Sequence, residues 1–523
     1  MAKAMKKVKE ERLEDILFSC RNHLRGKADM SDKRDVLLTL VFLKFMSDRF
    51  VAQQEKIREK FKAQPKLAEI QIGKPAAYRQ DGVIFLPEDC RWRHLVDEVP
   101  ANQKALALDA ATRTLDGLEE KLKNALPQGL FVSCDFEPSV LKAVMGELDK
   151  IDPKRFGEKD LIGRVYEYYL QAFSINADKE EGEFYTPRSL VELIATLIEP
   201  FDGTLYDPCC GSGGMFIQCA KLVEAHGGNT KTINVYGQES EPATFRLAKM
   251  NLAVRGISYH LGAKAASTFT NDQHSDLKVD YVMTNPPFNL KKWREPDALL
   301  DDIRWKGYPV PPESNANYAW ILHILSKLNP ADGVGGFLLA NGALDDSDTK
   351  EIRRKLIEDD KVEAIIVLPR EMFYSTDISV TLWILNQNKR GGVYHDRTLR
   401  DRTGEVLFVD LRTWNETVYE KKYVKFTPEQ IAAAAKIYHD WQTTGGTSYA
   451  KPELYYSATK QEIAGKDYSL VPSRYIEFVD RDTELDYQTA LKTIGAESTA
   501  LVERQVKNGL KLVAALKALG YGK

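Results

Sequence analysis

The sequence predicts an α/β architecture: a doubly wound, Rossmann-like, mostly parallel sheet joined to a helical amino-terminal domain and a helical carboxyl-terminal tail. Three observations carry this expectation. From about residue 160, short apolar segments alternate with helical stretches, the pattern of a parallel sheet covered on both faces. The first 150 or so residues place their apolar side chains at helical spacing. After about Lys425, helical composition returns. The expected domains are therefore residues 1–150, 151–425 and 426–523.

Composition sets the outer limits. A chain of 523 residues with 43% hydrophobic residues is long enough for about three domains and can bury a full core without disulfides or a structural metal. Ordinary Gly and Pro counts, 33 and 22, exclude collagen-like and low-complexity chains. Lys+Arg (73) and Asp+Glu (76) nearly balance. This rules out a globally basic nucleic-acid coat and leaves a local basic groove open. The six cysteines form no CxxC pair, so neither a disulfide framework nor a zinc site is expected. Adjacent Cys209 and Cys210 read as small apolar side chains in a tight turn. Met1 to Arg12 is rich in Lys and Glu with no apolar h-region behind it. No stretch reaches the roughly 18 apolar residues of a membrane helix, so a cytoplasmic protein is expected.

In chain order, Leu37, Leu38, Val41, Phe45 and Met46 mark a helix after a cap at Ser31, and a second helical stretch runs from about Asn102 to Asn124. Leu161, Ile162, Val165, Tyr166 and Leu170 mark another helix. The expected strands are Thr204–Tyr206, Ile233–Tyr236, Val279–Met283, Gly336–Leu339, Val362–Leu368, Val380–Leu385 and Val406–Val409. The last segment, Asp486 to Leu519, spaces Val502, Val506, Leu510, Val513 and Leu516 into one apolar stripe on a charged helix.

The segment Leu205-Tyr-Asp-Pro-Cys-Cys-Gly-Ser-Gly-Gly-Met-Phe216 joins a strand ending at Asp207 to a helix beginning near Met215. Such turns lie at the carboxyl ends of the strands, where doubly wound sheets bind ligands. Gly211, Gly213 and Gly214 allow close approach that a Cβ would block. No GxxxxGK[ST] occurs in the chain, which argues against an ATP-driven motor. Glu239, at the tip of the next strand, suits a bidentate hold on ribose hydroxyls. At this point NAD and S-adenosylmethionine are equal candidates.

The strand Val279–Met283 then leads into Thr284-Asn285-Pro286-Pro287-Phe288. Two prolines stiffen the loop, so that the Asn285 side-chain oxygen and the Pro286 carbonyl can aim at one spot. Two converging acceptors suit an exocyclic amine, whose lone pair is otherwise delocalised into its ring. Drawing on both protons frees the lone pair for attack on a sulfonium methyl, and Phe288 offers a face for an extruded base.

Asp207-Pro-x-x-Gly-Ser-Gly-Gly214 with Asn285-Pro-Pro-Phe288 resembles the amino-group DNA methyltransferases. Gly182-Glu-Phe-Tyr-Thr-Pro-Arg188 resembles the cofactor segment preceding the glycine motif in one permutation class. Together with the helical amino-terminal region, it resembles the methylation subunit of type I restriction-modification systems. The resemblance covers most of the chain, most strongly from about Ile151 to Asn388.

That resemblance implies an S-adenosylmethionine-dependent methyltransferase fold and N6 methylation of adenine in double-stranded DNA. The implied cofactor-binding set is Glu183, Phe184, Tyr185, Thr186, Pro187, Arg188, Asp207, Gly211, Ser212, Gly213, Gly214 and Glu239. Asn285, Pro286, Pro287 and Phe288 would hold the target adenine. On composition alone, Thr186-Pro187 reads as a helix start. Many relatives carry a Gly-Asp pair near the cofactor's adenine. Here Leu261-Gly-Ala-Lys-Ala-Ala-Ser267 has no acid until Asp272, so that contact is not assigned.

A separate specificity subunit, two methylation subunits per complex and a motor-nuclease restriction subunit are the implied partners, with the carboxyl-terminal helix docking on the specificity subunit. Residues 289–312 mix Lys291, Lys292, Arg294, Arg304 and Lys306 with Trp293 and Trp305, a composition suited to phosphate contact and stacking near an opened duplex. Two other functions stay open: methylation of RNA or a protein amide, and a non-catalytic scaffold binding cofactor or DNA.

Overall fold

The computed structural model describes residues 12–118, 122–152, 156, 161–174, 186–225, 228, 232–373, 378–416, 418–419, 423–446, 448–479 and 487–519. They form two units: Met1–Ala450 with Leu454–Ile476, and Lys451–Glu453 with Glu477–Lys523.

The amino-terminal part of the first unit is built around one helix, Met30–Lys60. Every residue from Val36 to Ser47 on it is buried, because this stretch is apolar around most of its circumference and must be covered on all sides. Lys44, buried among them, pairs with Asp48 at 2.7 Å. The helices Leu13–His23, Lys104–Leu118, Pro138–Asp149 and Leu161–Ser174 share its core. So do Leu247, Met250 and Val254 from the helix Pro242–Arg255, so the helical layer is packed onto the sheet region. The long helix starts one residue before the expected cap: Asp29, not Ser31, holds the N-cap position. The stretch expected from Asn102 resolves into a 3-10 turn, Ala101–Gln103, followed by a helix that ends at Leu118.

The described strands are β1 (Gly203–Asp207), β2 (Ile233–Gly237), β3 (Tyr259–His260), β4 (Tyr281–Thr284), β5 (Val334–Ala340), β6 (Val362–Val367), β7 (Val380–Asn386), β8 (Gly392–Tyr394), β9 (Arg397–Leu399), β10 (Glu405–Asp410), β11 (Val418–Tyr419), β12 (Tyr423–Val424), β13 (Ala450–Lys451) and β14 (Tyr455–Thr459). Ten of them form one sheet in the order β13-β14-β10-β6-β7-β5-β4-β1-β2-β3. β1, β2, β3, β4 and β5 are mutually parallel, while β7 runs antiparallel between β5 and β6. This is the doubly wound, mostly parallel architecture expected.

All seven expected strands are present. β5, β6 and β7 are buried along their whole length, as central strands with both faces covered must be. The covering helices sit close. A Cβ on Gly336 would lie 2.8 Å from Ile194 Cγ2, and one on Gly335 would lie 3.1 Å from Ile324 Cγ2. The glycines of β5 thus seat the helices Arg188–Ile198 and Asn317–Lys327 on opposite faces. β13 and β14 fall in the stretch expected to be helical, where among the described residues only Pro428–Thr443 and the short Lys460–Gly465 are α-helices of this unit. Among the described residues no helix is long and apolar enough to cross a membrane.

In the second unit, Tyr487–Ala518 is a single 32-residue helix. Val502, Val506, Leu510, Val513 and Leu516 are all exposed on it.

Candidate active site

The site lies at the carboxyl ends of β1, β2 and β4. After Asp207, Gly211 and Gly213 adopt φ +53° and +81°, conformations open to glycine and strained for other residues. A turn this tight lets the helix Gly214–Ala225 begin directly above the strand tip. Asp207 is 1% exposed. Its Oδ1 accepts from the Cys209 amide at 3.1 Å and from the Thr284 hydroxyl at 2.6 Å, and its carbonyl accepts from the Gln238 amide at 3.1 Å. Asp207 therefore ties together the tips of three strands. The adjacent cysteines lie in this turn as expected: Cys210 is buried and Cys209 Sγ sits 2.9 Å from Thr284 Oγ1. All six cysteines are free.

Burial pushes the Asp207 carboxyl up to about 7, against the opposing pull of the Thr284 and Cys209 donors. A carboxyl that holds its proton more tightly when folded contributes fully below its unfolded value of about 3.9. That contribution is lost as pH rises to the folded value. The thermal midpoint of the wild type is thus expected to fall between about pH 4 and 7 by an increment absent in Asp207→Asn. Parallel pH profiles for the two proteins would contradict this.

At the tip of β2, Glu239 Oε2 accepts from the Gly211 amide at 3.0 Å. Its Oε1 accepts from the Glu241 amide at 2.8 Å and from Ser240 Oγ at 3.3 Å. The carboxylate is pinned across the glycine turn, with lone-pair capacity left over for further donors. Burial raises its pKa, offset in part by the Glu241 and Gly211 amides.

At the tip of β4, Asn285 Nδ2 donates to Thr186 Oγ1 at 3.0 Å. That fixes the amide so that Oδ1 faces away, shielded from solvent and without a hydrogen-bond partner among the described residues. Pro286 is buried, whereas Pro287 and Phe288 are half-buried. The Phe288 ring stands edge-on to buried Phe373, centroids 5.8 Å apart. Thr186, Gly211, Ser212, Gly214 and Asn285 line an open cleft. Pro187 precedes the helix Arg188–Ile198 as expected, and Arg188 pairs with Glu192 at 2.6 Å. Glu183, Phe184 and Tyr185 lie outside the described residues.

Several residues that shape the site carried no recognised motif. Gln238, fully buried, donates to the carbonyls of Ala266 (3.0 Å) and Asn271 (2.8 Å), and the Ala266 amide donates to the Glu239 carbonyl at 2.8 Å. Together they hold the loop after β3 against the Glu239 tip. Asp272, the first acid of that loop, is committed to Lys327 at 2.7 Å. Beyond the tetrapeptide, Asn289 Oδ1 accepts from Asn315 and Asn317 at 3.1 and 2.9 Å. Thr284 and Asn289 both adjoin the tetrapeptide, which was the available clue to them.

The segment 289–312 differs from its sequence reading. Trp293 and Trp305 are buried, with their indole N–H groups bound to the carbonyls of Pro312 and Leu299, both at 2.8 Å. Arg304, also buried, bonds Asp302 and the carbonyls of Thr268 and Phe269. These rings follow the usual rule for buried aromatics, an apolar body packed and a polar edge satisfied, and present no stacking face. Only Lys291, Lys292 and Lys306 remain exposed cations among those expected to contact DNA, with Arg294 half-buried.

Comparison with known proteins gives this geometry its relatives. The family described as N-6 DNA Methylase matches residues 157–484. The chain belongs to the N-6 DNA methylase family. Residues 13–148 of this methylase match the HsdM N-terminal domain. The type I restriction enzyme HindI methylase subunit of Haemophilus influenzae is 38% identical over 71% of this chain and 81% of its own. The MjaIX methylase subunit of Methanocaldococcus jannaschii is 30% identical over 97% and 91% respectively. Among solved structures, the type I restriction-modification methyltransferase subunit of Streptococcus thermophilus superposes with a TM-score of 0.70 at 24% identity, covering 88% of this chain and 98% of that one. The methylase thus shares both the sequence family and the fold of type I methylation subunits.

Proposed function

We propose that this chain transfers a methyl group from S-adenosylmethionine to the N6 amine of adenine in double-stranded DNA, as the methylation subunit of a type I restriction-modification complex. The observation that carries the reading is Asn285 Oδ1, a shielded acceptor left without a partner beside the cleft that the glycine turn lines. The cleft also fits the cofactor. Its glycine turn leaves space where side chains would intrude, since a Cβ on Gly211 or Gly214 would meet nothing within 4 Å. Glu239 is held in place to accept from ribose hydroxyls, and Thr186, Ser212 and Gly214 line the cleft beside it. When bound, S-adenosylmethionine supplies an electrophilic sulfonium methyl.

The chain's own residues do the rest. Thr186 orients Asn285, and Asn285 Oδ1 with the Pro286 carbonyl accepts the two N–H bonds of the target amine. That pulls the nitrogen toward tetrahedral geometry and returns its lone pair from the ring. Phe288, braced by Phe373, offers a face to the extruded base, whose removal from the stack costs a few kcal/mol. Asp207 acts at one remove, holding the three strand tips in register. With the specificity subunit present, labelled methyl is expected in double-stranded DNA. Incorporation into RNA or protein instead would contradict the reading.

Membership among type I methylation subunits supports a specificity subunit as partner, two methylation subunits per complex, and a motor-nuclease subunit that restricts unmodified DNA. The helix Tyr487–Ala518 is the part that meets the specificity subunit. Its stripe Val502, Val506, Leu510, Val513 and Leu516 recurs every three or four residues, as a helix seeking partner helices requires. Deleting residues 486–523 is expected to abolish co-purification with the specificity subunit. Intact assembly would contradict the assignment.

A further inference from the structure

At the opposite edge of the sheet from the cleft lies a cavity of about 270 Å³. Val334, the first residue of β5, and Asn386, the last of antiparallel β7, both line it. The amino edge of the sheet therefore forms one wall. A seven-residue strand rises on the order of 20 Å, which separates this cavity from Asn285. Ile198, Tyr394, Leu399 and Tyr438 supply the apolar part of the remaining wall, with Asp332 and Asn388 polar beside them.

One wall carries an unusual polar arrangement. Glu363, the second residue of β6, is fully buried. Its Oε1 accepts from Arg402 Nε at 2.8 Å and from Gln442 Nε2 at 3.2 Å, and its Oε2 accepts from Asn386 Nδ2. Arg402, 0% exposed, also gives Nη1 to the Arg400 carbonyl at 2.7 Å. Two atoms in this otherwise satisfied cluster are left over. Arg402 Nη2 and Gln442 Oε1 are buried with no hydrogen-bond partner among the described residues, and both residues border the cavity. Neither can relieve itself by turning: swinging the Gln442 amide would set its oxygen against the Glu363 carboxylate. A buried donor and a buried acceptor left unpaired are costly. Here their residues line a partly open pocket large enough for a small heterocycle.

We propose that this cavity is a binding site for a small neutral lactam of nucleobase size, whose carbonyl accepts from Arg402 Nη2 and whose adjacent N–H donates to Gln442 Oε1. Neutrality follows from the cluster. The Arg402 charge is already matched by Glu363, and a carboxylate ligand would bring a second anion to Glu363 while offering Gln442 Oε1 no donor. Size and a mixed wall, with Ile198, Leu399 and two tyrosine rings beside placed polar groups, suit a flat heterocycle that carries its own polar edge.

Calorimetric titration of the full chain with hypoxanthine, which has the carbonyl and adjacent N–H, and with unsubstituted purine, which has neither, tests the site. Hypoxanthine is expected to bind with a dissociation constant of about 1 mM or tighter, a range open to a ligand of about ten heavy atoms. Purine is expected to bind at least about tenfold more weakly, the loss that unpaired partners impose. Gln442→Leu, which removes the acceptor, and Leu399→Phe, which fills the cavity and leaves the polar cluster untouched, should each weaken hypoxanthine at least about tenfold. Asn285→Ala should leave its binding unchanged, because the methylation cleft is separate. A silent wild-type titration, equal binding of the two heterocycles, or binding lost in Asn285→Ala but kept in Leu399→Phe would each overturn the proposal. None of these results bears on whether the chain methylates DNA.

Discussion

Asn285→Ala is expected to lower the methylation rate about 10²–10³-fold, the cost of removing one aimed hydrogen-bonding group from a reacting centre. Affinity for S-adenosylmethionine should change little. The asymmetry follows from geometry: Asn285 Oδ1 is the acceptor without a described partner, whereas its Nδ2 is spent on Thr186 at 3.0 Å. An interaction realised mainly as the amine becomes tetrahedral appears in kcat and leaves cofactor binding alone. Single-turnover methylation with equilibrium cofactor binding on the same variant separates the two. A variant that bound cofactor poorly and methylated normally once saturated would place Asn285 in the cofactor wall and remove it from the reaction.

Glu239→Ala is expected to have the converse signature. Charge-assisted hydrogen bonds contribute about 1.5–3 kcal/mol each, so losing a two-point hold on ribose should weaken cofactor binding by roughly 10²-fold or more. The rate at saturating cofactor should be recovered in large part. Because the carboxylate also accepts from Gly211 and Glu241, the turn itself loosens in this variant. Glu239→Gln keeps an acceptor and is expected to fall between wild type and alanine. Unchanged cofactor affinity in Glu239→Ala would remove Glu239 from the binding set.

The site was legible in sequence to the extent that its chemistry is local. Gly211 to Gly214, Glu239 and Asn285 to Phe288 each sit at the end of a strand marked by an apolar run, and a parallel sheet gathers such ends on one edge. What binds these segments to each other was not legible. Thr186 and Asn285 are 99 positions apart, and Asp207 and Thr284 are 77 apart. No periodicity announces a hydrogen bond across that span. The same limit explains Trp293, Trp305 and Arg304: basic and aromatic residues in a loop have the composition of a DNA contact and of a satisfied core alike, and only the carbonyls facing them decide. β3 is two residues long and β14 follows a helical stretch, so neither offered a run from which a strand could be read. Glu363 is a further case, a charge inside an apolar strand whose partner Arg402 lies 39 positions on.

We propose that Asn285 drives N6 methylation of adenine in DNA. Mapping N6-methyladenine across the genome of the native host, wild type against Asn285→Ala, tests it most directly. One class of sequence is expected to be methylated in the wild type and unmethylated in the variant, with both proteins present at equal levels. Identical maps from the two strains would contradict it.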